Sequence, residues 1–139
     1  MPSTLSRRRR SDCPISFALD VFGDRWTLLV IRDLLFKGKR HYQDFCESEE
    51  GIATNVLADR LKRLEATGLI TRDVAARIAG GVTYHLPTKG LNLAPMLVEM
   101  ILWSAAHDPH TAAAPEFVET ARNDRGALLT KLAASGDPA

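Results

Sequence analysis

The 139-residue sequence has few cysteines and lacks any long apolar run. Its two cysteines, Cys13 and Cys46, are too few to indicate a disulfide framework. No stretch reaches the roughly 18 apolar residues of a membrane span, and no apolar segment follows the N-terminal arginines as a secretory signal requires. We therefore expect a soluble, cytoplasmic protein without a membrane-bound part.

The sequence also lacks the common motifs of catalytic and metal sites. It contains no Gly-x-Ser-x-Gly, phosphate-binding loop or Gly-x-Gly-x-x-Gly pattern, and neither Cys-x-x-Cys nor His-Glu-x-x-His spacing. His107 and His110 are three residues apart, but Pro109 disrupts the helix that would aim both at one ion. We expect no enzyme activity, no metal site and no cofactor.

The net charge is small, because 18 basic residues oppose 17 acidic ones for a formal charge of +1. The distribution is uneven: residues 1–90 hold 15 of the bases and 11 of the acids, and Arg7–Arg10 account for that excess. A basic arm of this kind either contacts nucleic-acid phosphates or is a solvated tail. Charge alone therefore does not decide whether the partner is a nucleic acid.

Helical periodicity dominates the sequence, and it is interrupted once by a β-branched region. The pattern predicts a short helix ended by Gly23, a central buried helix capped by Asp24, and helices over residues 40–45, 52–67, 89–106 and 116–133. Residues 69–74 and 82–86 are rich in β-branched side chains and are separated by two glycines, which predicts a β-hairpin.

This order of elements is typical of a winged helix-turn-helix domain. The predicted fold class is mainly α with a small β-hairpin wing, extended by further helices at both ends. We expect a flexible basic arm over residues 1–11, the winged helix-turn-helix domain with a long helix over 12–108, and a C-terminal helical extension over 109–139.

The predicted helix over residues 52–67 has one apolar stripe and one polar face. Leu57, Leu61 and Leu64 fall within a narrow arc at about 100° per residue, so the side chains opposite them point outward. An asparagine amide there suits adenine, and a lysine ammonium reaches guanine or phosphate. The candidate DNA contacts are Thr54, Asn55, Ala58, Asp59, Lys62 and Arg63 on this helix, with Arg40 before it and Arg77 in the hairpin.

Two questions about this face stay open. Any solvated helix has a polar face, and it is the hairpin that follows which favours DNA recognition. Asp59 either accepts a hydrogen bond from cytosine or pairs with Lys62 or Arg63.

Four acidic residues between positions 44 and 50 lie near the predicted DNA surface. They slightly favour an alternative, a winged-helix module that binds another protein.

Several blocks of the sequence resemble HxlR-type winged-helix transcriptional regulators. They fall in order over roughly residues 13–105, about two thirds of the chain. The blocks are Cys13-Pro14, Asp20 to Trp26, Leu34-Leu35, Gly51-Ile52, Asn55-Val56-Leu57, Arg60 to Leu64, Gly68-Leu69-Ile70, Tyr84-His85-Leu86, Lys89-Gly90-Leu91 and Trp103.

The resemblance implies a homodimeric repressor or activator that binds double-stranded DNA at a palindromic operator. In this family the N-terminal and long C-terminal helices hold the dimer, which implies an interface at Met96, Met100 and Trp103. Cys13 matches a cysteine that some members use to sense oxidants, although a structural or inert role is the alternative. A small-molecule effector between the dimer helices is a further alternative. The segment between the two strands of the wing departs from the family pattern, since Arg77 is its only basic residue.

Overall fold

The computed structural model describes residues 10–74 and 81–136 of the chain. Within these residues the helices and strands follow the predicted order, so the predicted fold class is confirmed. The elements are α1 (Pro14–Phe22), α2 (Arg25–Leu35), α3 (Tyr42–Cys46), α4 (Thr54–Ala66), β1 (Thr71–Asp73), β2 (Thr83–His85), α5 (Thr88–Leu91), α6 (Ala94–His107), α7 (Pro115–Asn123) and α8 (Arg125–Gly136).

The junction between α1 and α2 is tight. Gly23 ends α1, and its N–H donates to the carbonyl of Leu19 at 2.8 Å. A Cβ atom at Gly23 would lie 2.5 Å from that carbonyl oxygen, so only glycine fits here. Asp24 caps α2 as predicted, because its carboxylate accepts from the N–H of Thr27 at 3.0 Å. Only Gly23 and Asp24 therefore separate the two helices.

The turn that leads into α4 and the residue that ends it both require a left-handed backbone. Gly51 has φ +74° and Gly68 has φ +79°, conformations that residues with a Cβ rarely adopt. Between them, α4 buries the three leucines of the predicted stripe, Leu57, Leu61 and Leu64. The predicted periodicity of this helix is thus confirmed.

The hairpin is shorter than the sequence predicts. β1 and β2 pair antiparallel with Thr71 opposite His85 and Asp73 opposite Thr83. The N–H of Tyr84 in β2 also donates to the carbonyl of Arg40 at 2.8 Å. The chain at Arg40 is therefore drawn alongside β2, and α3 begins two residues later than predicted.

Two predicted helices are each divided in the structure, so these predictions were wrong. The predicted helix over 89–106 is split into α5 and α6, because Pro95 has no N–H to donate to Leu91 and its ring would clash with that carbonyl. The predicted helix over 116–133 is interrupted at Asp124, whose φ of −147° and ψ of 57° are not helical. Asparagine and aspartate at this point favour helix ends over interiors.

One hydrophobic core joins the helix-turn-helix elements to the C-terminal extension. α2 lies at its centre, with Ile31 and Leu34 fully buried. Ala121 from α7 and Leu128 and Leu132 from α8 belong to the same buried cluster. Residues 115–136 are therefore packed against the domain. None of the described helices is both long enough and apolar enough to span a bilayer.

Candidate nucleic-acid interface

The side of α4 opposite the buried leucines is exposed to solvent. All six residues predicted on this helix as DNA contacts are exposed, and we call them the α4 face. The α4 face consists of Thr54, Asn55, Ala58, Asp59, Lys62 and Arg63. The structure therefore brings these six candidates together on one surface next to the wing.

The only acid of the α4 face is paired with neighbouring arginines. Asp59 Oδ2 lies 2.6 Å from Nη1 of Arg60 and 3.7 Å from Nη1 of Arg63. The predicted ion pair one turn along the helix is thus formed with Arg63. Lys62 makes no ion pair with any of the described residues, so its ammonium is available to an external anion.

Contacts from three other elements hold α4 in place, and local sequence patterns did not predict them. Arg60 donates from Nε and Nη2 to the two carboxylate oxygens of Asp24, at 2.7 and 3.2 Å. The Tyr42 hydroxyl donates to the carbonyl of Thr54 at 3.1 Å. At the other end, Nζ of Lys89 donates to the carbonyl of Thr67 at 2.5 Å, where a helix terminus favours a cation. α4 is thus fixed at both ends and in the middle.

The Arg60 hydrogen bond lowers the pKa of Asp24 from its ordinary 3.8 to about 2, and the Thr27 hydrogen bonds act in the same direction. Burial opposes this shift without cancelling it. The Asp24 carboxylate is therefore ionised throughout the physiological pH range, and its contact with Arg60 is an ion pair under those conditions.

The turn before α4 carries a second arginine–carboxylate pair. Arg32 on α2 donates to Glu50 from Nη1 at 2.6 Å and from Nη2 at 3.0 Å. Its Nε donates to the buried carboxylate of Asp33 at 2.9 Å. Glu50 also accepts from the Ser48 hydroxyl at 2.7 Å. One of the acids that favour a protein-binding module is therefore neutralised within the fold.

This second pair predicts an acid-sensitive stability. The Arg32 hydrogen bond lowers the pKa of Glu50 from 4.5 to about 2. A carboxyl pKa depressed by folding adds stability that is complete above about pH 4.5 and is lost as the pH falls toward 2. We expect Glu50→Gln to reduce the pH dependence of the unfolding free energy in this interval, measured by urea denaturation. Glu49→Gln, at the exposed neighbouring position, is the control. Equal slopes for Glu50→Gln and the wild type would contradict this prediction.

The remaining two predicted DNA contacts are arginines that lie outside α4. Nη1 of Arg40 donates to the carbonyls of Leu34 and Lys39 at 3.0 and 2.8 Å, and burial lowers the pKa of its guanidinium. Arg40 therefore supports the end of α2, and its contact with DNA stays a prediction. Arg77 lies outside the described residues.

Large apolar side chains are exposed mainly on α1 and α6. Of the seven such side chains among the described residues, five belong to these two helices. They are Ile15, Phe17 and Leu19 on α1, and Met100 and Trp103 on α6. Met96 on α6 is half-buried. The ring centroids of Trp103 and His107 lie 4.8 Å apart.

The two cysteines have different surroundings. Cys13 is exposed and occupies the N-cap position of α1, where its N–H donates to the Ser11 hydroxyl at 3.2 Å. Cys46, at the end of α3, is half-buried and packs against the core. An open groove of about 730 Å³ lies between α2, α6 and the segment leading into α7. Apolar side chains dominate its lining, among them Leu28, Phe36, Leu97, Ile101 and Phe117.

The buried helix α2, the short helix α3 and the exposed helix α4 are followed by a two-stranded wing. This architecture defines a winged helix-turn-helix protein, a class in which the exposed helix enters the DNA major groove. The sequence model of the HxlR-like helix-turn-helix family matches residues 21–112. The chain belongs to this family, so the predicted resemblance is confirmed.

The sequence is 38% identical over 88 residues to the uncharacterized HTH-type transcriptional regulator sll1512 of Synechocystis sp.. That match covers 63% of this chain and 64% of the cyanobacterial protein, slightly less than two thirds of its length. The crystal structure of PA1607, a candidate transcription factor, superposes with a TM-score of 0.67 at 33% identity, covering 78% of this chain and 75% of that one. The oxidised redox regulator HypR superposes with a TM-score of 0.60 at 30% identity, covering 68% of this chain and 96% of that one.

Proposed function

We propose that this protein is a sequence-specific DNA-binding transcriptional regulator that acts as a homodimer on a palindromic operator. The observation that carries the proposal is the α4 face, six exposed residues on a helix that three other elements hold in place. In a winged helix-turn-helix protein such a helix lies in the major groove. Asn55 is suited to bidentate pairing with adenine, and Lys62 to guanine or phosphate. The nearby Asp59 adds little repulsion, because Arg60 and Arg63 neutralise it.

The homodimer is supported by the exposed apolar side chains of α1 and α6. Exposed apolar side chains that cluster on few elements indicate an interaction surface, because burying them removes unfavourable contact with water. An isologous dimer would bury the same helices on both subunits and would present two α4 faces related by a two-fold axis. That symmetry matches a palindromic operator with half-sites about one helical turn apart.

A salt titration distinguishes this function from the alternative of a protein-binding module. The probe is the duplex that the protein selects from a random-sequence library, labelled for fluorescence anisotropy. We expect log K to fall linearly with log salt, because phosphate contacts release counterions from the DNA. A protein that selects no duplex, or whose binding is independent of salt, would contradict the proposed function.

We further propose that the regulator responds to an effector, with an oxidant as the first candidate. The support is the exposed thiol of Cys13 at the start of α1 and the likeness to HypR, which is a redox regulator. With hydrogen peroxide, the Cys13 thiol would be oxidised to a sulfenic acid while the peroxide is reduced to water. The change would occur at the end of a proposed dimer helix. The apolar groove beside α2 and α6 supports a small apolar molecule as a second candidate effector.

Replacing Cys13 with serine tests the oxidant response. We expect wild-type protein to release the selected duplex after mild peroxide treatment, whereas Cys13→Ser remains bound. Cys46→Ser is the matched control and should release the duplex as the wild type does, since its thiol is half-buried. Equal release by Cys13→Ser and wild type would exclude Cys13 as the sensor.

A further inference from the structure

The guanidinium of Arg60 connects α4 to Asp24, the N-cap residue of α2. Its Nε and Nη2 donate to separate oxygens of Asp24, so the planar fork engages the whole carboxylate. A two-bond pair of this kind fixes an orientation as well as a distance. The side chains of Arg60 and Asp24 are 18% and 35% exposed, so solvent screens the contact only in part. α4 cannot rotate about its own axis without breaking this pair.

Asp24 is itself held by the helix that it caps. Its Oδ2 accepts from the N–H and from the hydroxyl of Thr27, at 3.0 and 3.2 Å. Thr27 belongs to the first turn of α2, and its side chain is buried, so it has little freedom to move. Because the carboxylate is anchored to α2 in this way, it cannot follow Arg60 if α4 turns.

Arg60 also contributes to the charge balance of the α4 face. Its Nη1 donates to Oδ2 of Asp59 at 2.6 Å, and Asp59 is the only acid among the six residues of that surface. An unpaired carboxylate there would repel DNA phosphates. The Arg60 side chain therefore contributes to the orientation of α4 and, together with Arg63, to the charge of the α4 face.

The same pair lies next to α1. Gly23 is the only residue between α1 and Asp24. Its close contact with Leu19 makes this connection short and tightly packed. α1 carries three of the exposed apolar side chains assigned to the proposed dimer surface. A displacement of α1 would therefore reach α4 through Asp24 and Arg60.

We infer that Asp24 and Arg60 are positioning residues for DNA recognition, which orient the α4 face relative to the dimer helix α1. They act through α4 and not through a contact with a base. The inference rests on the proposed function, because it presupposes that the α4 face reads DNA. It predicts that breaking the pair lowers affinity for the specific sequence and leaves general attraction to DNA unchanged.

Two variants break the pair in different ways. Asp24→Asn keeps a side-chain oxygen for the cap of α2 but removes the charge, whereas Arg60→Lys keeps the charge but removes the fork. Binding is measured to the duplex that the wild type selects from a random library and to a scrambled duplex of the same composition. We expect both variants to lose about tenfold or more in affinity for the selected duplex. Affinity for the scrambled duplex should change by less than about twofold, because the phosphate contacts persist.

Arg125→Lys is the matched control, because Arg125 pairs with Glu99 between α8 and α6, away from α4. It should bind both duplexes as the wild type does. Unchanged affinity of the Asp24 and Arg60 variants for the selected duplex would overturn the inference, and so would an equal loss on both duplexes. If Asp24→Asn does not fold, as judged by thermal unfolding, Arg60→Lys decides alone because it leaves the cap intact. A wild-type protein that selects no duplex would contradict the proposed function, and the inference with it.

Discussion

Trp103→Glu is expected to convert the proposed dimer to a monomer at micromolar concentration. The Trp103 side chain is 67% exposed and lies on α6 with the exposed Met100. A carboxylate at this position would have to be buried without a partner in a dimer that covers α6, which is strongly unfavourable. Sedimentation velocity measures the change directly.

The same variant should lose about a hundredfold or more in affinity for the selected duplex. Two linked α4 faces bind with an effective local concentration that a monomer lacks. Folding should be almost unaffected, since an exposed substitution changes the unfolding free energy by about 0.5 kcal/mol or less. Ala133→Glu adds the same charge at an exposed position of α8 and should remain dimeric. A dimeric Trp103→Glu protein would remove α6 from the proposed interface.

Features that depend on neighbours along the chain could be predicted from the sequence. Leu57, Leu61 and Leu64 lie on one side of α4 because a helix repeats every 3.6 residues, whatever the rest of the fold does. Gly68 ends that helix because glycine adopts a left-handed backbone at low energetic cost, whereas residues with a Cβ rarely do. The exposure of Asn55 and Lys62 follows from the same geometry.

The contacts that hold α4 could not be predicted in this way. Asp24 and Arg60 are 36 residues apart, and both belong to blocks that resemble the family without indicating that they meet. Lys89 reaches the carbonyl of Thr67 across 22 residues. Such pairs depend on how α2, α4 and α5 pack, which periodicity does not determine. Arg40 is a similar case, since its hydrogen bonds to the carbonyls of Leu34 and Lys39 were not predicted, while its contact with DNA stays a prediction.

Each divided helix contains residues that disfavour a helix interior, but the apolar pattern favoured one continuous helix. Pro95 lies within the largely apolar segment 91–103, which contains only two polar residues, Asn92 and Glu99, and this apolar pattern predicted one long helix. The missing N–H and the ring of proline nevertheless exclude the i to i−4 hydrogen bond at that point. At Asp124, two consecutive cap-forming residues marked a similar break in the C-terminal extension.

Asn55→Ala and Lys62→Ala are expected to weaken DNA binding in different ways. Loss of a bidentate amide–adenine pair should cost about 1–3 kcal/mol for the preferred base and should relax the preference at that position. Loss of the Lys62 ammonium should lower affinity for all sequences if it contacts phosphate, and should reduce the salt slope by about one. Affinity for the selected duplex and for single-base variants of it, measured at several salt concentrations, separates the two effects.

Both substitutions are at exposed positions of α4, so neither should alter the fold. Lys131→Ala, at an exposed position of α8, is the matched control for loss of one positive charge. It should reproduce wild-type affinity, because α8 lies in the C-terminal extension and carries no residue of the α4 face. If Asn55→Ala and Lys62→Ala both bind the selected duplex as the wild type does, the α4 face is not the surface that reads DNA. A loss shared equally by Lys131→Ala would indicate that net charge, and not position on α4, governs binding.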